Sequence, residues 1–210
     1  MLARTPLFST GVVTSAAGSV YVESGKTKLI ATVIGPKQTR SPDFHSSAII
    51  NVAVSFNKYF QSDSPSPSSL QSKTSLIKSA VLSSLESTIL LSEYPKTVIE
   101  IGIHVLEDDG STFSLSVLAA YLACKDAQLK CKSPLVSSTV SFKGSEFLLD
   151  PKYDDEISAD GLCVVSSLPL VNQIVSVEFL GKQNRKLVSR VVEFSCVANS
   201  KLIEKLQLNS

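Results

Sequence analysis

The spacing of apolar residues divides this chain into short alternating runs and longer helical ones. Gly11 to Val22 alternates loosely and Lys28 to Ile34 (KLIATVI) is a compact β-branched run, so both predict strands. Between them, Glu23-Ser24-Gly25-Lys26-Thr27 has tight-turn composition and predicts a hairpin. Ile49 to Phe56 (IINVAVSF) predicts another strand. From Thr74 to Leu91 the residues Leu76, Ile77, Ala80, Val81, Leu85 and Ile89 recur at helical spacing, and Pro95 stops the run. Thr97 to Leu106 predicts a strand. Ser111 to Leu129 predicts a helix that is apolar most of the way round, hence a central one. Val136 to Phe142 and Glu146 to Leu149 predict a hairpin about Lys143-Gly144-Ser145, and Leu162 to Ser167 and Ile174 to Leu180 two more strands. Arg185 to Leu208 closes the chain with a helical period. This order predicts an α+β domain, long helices layered on mixed β-sheets, spanning residues 1–210. A Ser/Pro-rich stretch, Gln61 to Ser69, predicts an exposed flexible loop at about 61–70.

Composition narrows the function classes. Twenty basic against nineteen acidic residues leave a net charge of +1, whereas a chain that binds nucleic acid alone carries a basic excess. Any RNA contact is therefore local or shared with partners. Cys124, Cys131, Cys163 and Cys196 form no CxxC pair or metal-ligand spacing, so reduced thiols and no metal are expected. With 43% hydrophobic residues the chain can bury a sizeable core, yet no apolar run is long enough to span a membrane and no signal segment opens the sequence. A cytosolic or nuclear location is expected.

Chemistry concentrates in Ile101 to Ala127. A strand runs into Asp108-Asp109-Gly110-Ser111-Thr112 and then a helix, which gathers backbone N–H groups and a helix dipole as an anion site does. Asp109 or Ser111 suits the helix cap. The next residue is Phe113, where a phosphate site would want a cation. Other candidates have plainer readings. Gly25-Lys26-Thr27 lacks the glycine of a P-loop, since that position is Val20. Asp150, Asp154, Asp155, Glu156 and Asp160 miss the calcium-loop pattern and read as a solvated acidic loop. His45 and His104 have no Ser, Cys or Asp partner at a recognisable spacing, and no nucleophile elbow exists. Lys37 and Arg40, in PKQTR at a strand end, read either as ordinary surface charge or as a loop facing RNA.

Three segments in order resemble the RNase PH fold of phosphorolytic 3′-exoribonucleases and exosome ring subunits. They are GVVTSAAGSVYVESGKTKLIATVIGP (11–36), VLEDDGSTFSLSVLAAYLACKDA (105–127) and FLLDPKYDDEISADGLCVV (147–165). LLDP, the acidic stretch and LPLVNQI (168–174) look most like the exosome ring subunit of the mRNA-transport (MTR) type. The resemblance implies the RNase PH-like (ribosomal protein S5 domain 2-like) fold. It also implies that active members hold phosphate with a Gly-Gly-Thr-Arg-like tetrad, matched here by Gly110, Ser111, Thr112 and Phe113. Their Asp-x-Asp-like acids for proton transfer are matched by Asp160-Gly161-Leu162, with Leu162 in place of the second acid. The arginines after the fourth strand reduce to Lys58 in NKYFQSD, and the basic lead-in to Arg4.

A phenylalanine supplies no charge-assisted contact, and a leucine neither binds a cation nor carries a proton. The resemblance therefore implies a catalytically inactive subunit without cofactor, with Thr112 and Asp160 as residues of a degenerate site. Such a subunit would sit in a hetero-hexameric ring with other RNase PH-like subunits, beneath S1/KH-type cap subunits, in the nucleus (nucleolus) and cytoplasm. The ring threads RNA for 3′-5′ processing and degradation, and Lys37, Arg40 and Lys58 would be its RNA contacts. The alternatives are an active phosphate-dependent 3′-5′ exoribonuclease, and a binding module that shares only the fold.

Overall fold

Alternation in the first third folds as a meander. β1 (Leu7–Thr10), β2 (Gly18–Ser24) and β3 (Thr27–Gln38) pair antiparallel in sequence order. Every second residue of β2 and β3 faces inward, with Val20, Val22, Leu29, Ala31 and Val33 fully buried. Two boundaries differ from expectation. The run 11–22 is not one strand: Gly11 takes φ +68° and residues 11–17 turn the chain between β1 and β2. β3 also runs on to Gln38, which puts Lys37 on a strand paired with Val98 rather than in a loop. The computed structural model describes residues 4–38, 46–57, 67–144, 146–181 and 185–208. His45, Arg40, Lys58 and residues 61–66 of the Ser/Pro stretch lie outside them.

β4 (Ile49–Phe56), α1 (Pro67–Thr88) and β5 (Thr97–Glu107) form a crossover that brings β4 parallel to β5. The five-stranded sheet is ordered β1-β2-β3-β5-β4. α1 starts at Pro67, seven residues before the apolar period, so part of the expected loop is helix. Proline's fixed φ suits a first turn, where its missing N–H costs nothing. α2 (Thr112–Asp126) follows β5, and thirteen consecutive residues, Thr112 to Cys124, are buried. The second sheet is antiparallel, ordered β7-β6-β8-β9, from β6 (Val136–Lys143), β7 (Glu146–Leu149), β8 (Gly161–Leu168) and β9 (Gln173–Gly181). The expected acidic loop contains a short helix, α3 (Tyr153–Ser158), and α4 (Arg185–Leu208) ends the chain.

The layers stack as sheet, helices, sheet, helix. α1 and α2 lie between the two sheets, and α4 covers the far face of the second. β6 is consequently buried on both faces, with seven of its eight residues inside. The main core joins the first sheet to α1, α2 and the inward residues Val164 and Leu168 of β8. A smaller core under α4 contains Val140, Cys163, Val165 and Val191. Much of the remaining contact is between small polar residues. Thr139 donates to Ser114 at 2.8 Å, Ser166 to Ser137 at 3.1 Å, and Asn199 to the Val165 carbonyl at 3.1 Å.

Candidate functional site

The parallel pair β4–β5 ends at the turn before α2, outside the carboxyl ends of the strands, where layered α/β folds place ligands. Gly110 adopts φ +89° and Ser111 φ +56°, so the chain makes a left-handed step immediately before the helix. Thr27, the first residue of β3, pins this step. Its hydroxyl donates to the Gly110 carbonyl at 2.8 Å and accepts the Asp109 N–H at 2.9 Å.

Neither Asp109 nor Ser111 caps the helix with its side chain, contrary to the expectation from sequence. The Ser111 backbone is left-handed, and its hydroxyl donates instead to the Pro151 carbonyl at 3.0 Å. The Ser111 N–H donates to Glu156 Oε1 at 2.7 Å, a carboxylate that comes from α3. Asp108 accepts the Thr112 hydroxyl and the Gly110 N–H (3.3 Å), and pairs with Lys73 of α1 at 2.5 Å. Lys73 also stands 5.8 Å from the Phe56 ring centre at the end of β4. Arg4 grips both Asp150 oxygens, at 2.8 and 2.9 Å, and lies 3.7 Å from Asp109.

These contacts set the electrostatics. Burial works to raise the Asp108 carboxyl, but Lys73 and the hydrogen bonds from Thr112 and Gly110 outweigh it and hold it below the usual aspartate range. Burial pushes the Glu156 carboxyl up, and the Asp108 charge pushes the same way. Burial alone would lower Arg4; its pairing with Asp150 and the charges of Asp109 and Glu156 raise it instead. Among the described residues that contact the turn, Asp108, Asp109, Asp150 and Glu156 against Arg4 and Lys73 leave two net negative charges. That field opposes an incoming anion.

The residues singled out from sequence are only partly brought together. Thr112 is in the turn, bonded to Asp108. Phe113 is 5% exposed and belongs to the main hydrophobic core. Asp160 serves the β6–β7 hairpin, accepting the Gly144 N–H at 2.8 Å. Leu162 is half-buried within β8, between Ser141 and Leu180. Lys37 pairs with Glu100 at 3.2 Å on the outer face of the first sheet, far from free. His104 does have a serine partner: the parallel register sets it beside Ser55, with Nδ1 and Oγ 2.7 Å apart. That pair is exposed on the same outer face and takes no part in the network at the turn. Sequence reasoning read Glu156 as part of a solvated loop and missed Lys73. The spacing Tyr153–Glu156 within a short helix was the available signal for the first, and the early start of α1 hid the second.

Residues 3–130 match the sequence profile of the 3′ exoribonuclease family (RNase PH), domain 1, which is more than half of the chain. The chain belongs to the RNase PH family. Relatives agree along nearly its whole length. It is 28% identical over 202 residues to the Arabidopsis thaliana protein named exosome complex component RRP41-like, covering 96% of this chain and 77% of that one. It is 31% identical over 201 residues to exosome complex component mtr3 of Schizosaccharomyces pombe, covering 91% and 76%. The fold is the RNase PH fold: rice Rrp46 superposes with a TM-score of 0.84 at 20% identity, covering 98% of this chain and 94% of that one. A chain of the Archaeoglobus fulgidus exosome with RNA bound to the active site superposes with a TM-score of 0.78 at 21% identity, covering 97% and 88%. The resemblance read from three sequence segments therefore holds.

Proposed function

We propose that this RNase PH chain is a non-catalytic ring subunit of an RNA exosome. It would contribute sheet and helix surfaces to a ring of RNase PH-like subunits, under S1/KH-type caps, for 3′-5′ RNA processing and degradation in nucleus and cytoplasm. Support for the assembly comes from the relatives, which carry exosome names across most of this chain.

Phe113 carries the inactive reading. At the position where the resemblance expects an arginine, a phenylalanine packs into the core, so the turn loses a charge-assisted contact of about 1.5–3 kcal/mol. The negative balance around the turn acts in the same direction, and Leu162 removes the second acid. Lys37 is 56% exposed despite its pairing with Glu100, and we keep it, with Arg40 and Lys58, as a backbone contact for threaded RNA.

Single-stranded RNA and inorganic phosphate supplied to the purified chain test the reading. No nucleoside diphosphate is expected above a blank; its steady release would establish the phosphorolytic alternative.

A further inference from the structure

The start of α2 keeps the geometry of an anion site and is already occupied from within the chain. Three donors at the turn end on carboxylates, one of them a helix-start amide: the Ser111 N–H on Glu156, and the Gly110 N–H and the Thr112 hydroxyl on Asp108. The contact with Glu156 is built into the fold. Gly110 packs so tightly on the start of α3 that a Cβ there would fall 2.5 Å from the Pro151 oxygen and 2.7 Å from the Tyr153 nitrogen. The Ser111 hydroxyl bonds Pro151, and the Arg4 guanidinium reaches the Pro151 carbonyl at 3.2 Å while it grips Asp150. Asp155 closes the first turn of α3 by accepting the Lys152 N–H at 3.2 Å. The helix that carries Glu156 is thus fixed against the turn from three sides.

We propose that Glu156 is a resident anion: its tethered carboxylate takes the helix-start donor that a free phosphate would use, and closes the turn to inorganic phosphate. The inference rests on the non-catalytic reading and gives it a physical agent. A free anion must displace a carboxylate held in place by the fold, which competes at a high effective concentration. It must also approach Asp108, whose charge Lys73 already engages. The short, charge-assisted contact fills one of the orphan N–H groups at the helix start, the one on Ser111.

Amide NMR on the isotope-labelled full chain tests this. In the wild type the Ser111 amide shift should follow the titration of one carboxyl, with a midpoint above that of an ordinary glutamate. Glu156→Gln keeps an oxygen acceptor but no charge, so it should flatten that titration while leaving the fold intact. Inorganic phosphate, added at constant ionic strength, should not move the wild-type amides. In Glu156→Ala it should shift the Ser111, Thr112 and Phe113 amides saturably and raise Tm by a few degrees. A Ser111 amide that ignores pH would overturn the inference, as would saturable phosphate shifts in the wild type or a folded Glu156→Ala chain indifferent to phosphate. Failure of the non-catalytic reading registers separately, as nucleoside diphosphate release from RNA, a measurement on which the Ser111 titration does not depend.

Discussion

Replacing Lys73 by methionine isolates the one cation that, among the described residues, pairs with Asp108. Methionine keeps most of the aliphatic stem and deletes the ammonium. The pair is mostly out of water, with side-chain exposures of 24% for Lys73 and 15% for Asp108. At 2.5 Å and an effective dielectric of about 20 the bare attraction is about 6–7 kcal/mol. Desolvation of both ions cancels most of it, and a charged hydrogen bond nets about 1.5–3 kcal/mol. The contact of Lys73 with the Phe56 ring adds about 0.5 kcal/mol. Lys73→Met should therefore lose about 2–3 kcal/mol near neutral pH, read from urea midpoints at constant slope.

The sign with pH follows from Asp108. Its folded pKa lies below the ordinary 3.8, so the stability it contributes is present above that value and is lost as pH falls through the folded value. The gap between wild type and Lys73→Met should accordingly shrink well below pH 3.8. A double-mutant cycle with Asp108→Asn should return a coupling of about 2 kcal/mol. A loss under about 0.5 kcal/mol, or one that persists undiminished in acid, refutes the reasoning.

Phe113→Arg should not revive phosphorolysis. It places a charge in the main core and should cost more than about 3 kcal/mol, so a stable variant that releases nucleoside diphosphate would contradict the assignment of Phe113. Gly18→Ala should cost about 1–3 kcal/mol in chemical denaturation, because its Cβ would meet the Ala127 nitrogen at 2.3 Å and the Ala123 oxygen at 2.4 Å, both backbone atoms at the end of α2. Burial pushes the Cys163 thiol up to about 12 and raises Cys124 as well, so both should resist a disulfide reagent in the native chain while the part-exposed Cys131 and Cys196 react first.

Periodicity carried most of the architecture. It located β4 and α4 to the residue, the β6–β7 hairpin, and the central burial of α2, because those segments meet the core in a regular register. It failed where local composition and tertiary contact disagree. β1 has four residues, mostly exposed, and so carries no apolar pattern of its own; it is a strand because β2 pairs with it. Pro67 reads as a loop residue yet opens α1. The acids after Asp150 read as solvated, while Glu156 is drawn inward by an amide 45 positions away. The strand, turn and helix over 101–127 were legible, and so was the apolar character of Phe113. What fills the turn was not, since Glu156, Lys73 and Arg4 converge only once the two sheets have closed on the helices.

The sandwiched helical layer has a consequence for how this family is divided. The family's first domain ends here at residue 130, yet α2 finishes at Asp126 with one flank against β6 and β8, which come later in the chain. A fragment cut at that boundary would carry a 15-residue helix, buried nearly all round in the full chain, with the cover from β6 and β8 removed. It should precipitate, or recruit the missing half supplied as a separate polypeptide. The frontier drawn by sequence comparison runs through the middle of a packing layer, and complementation of the two pieces would show the seam to be one of description.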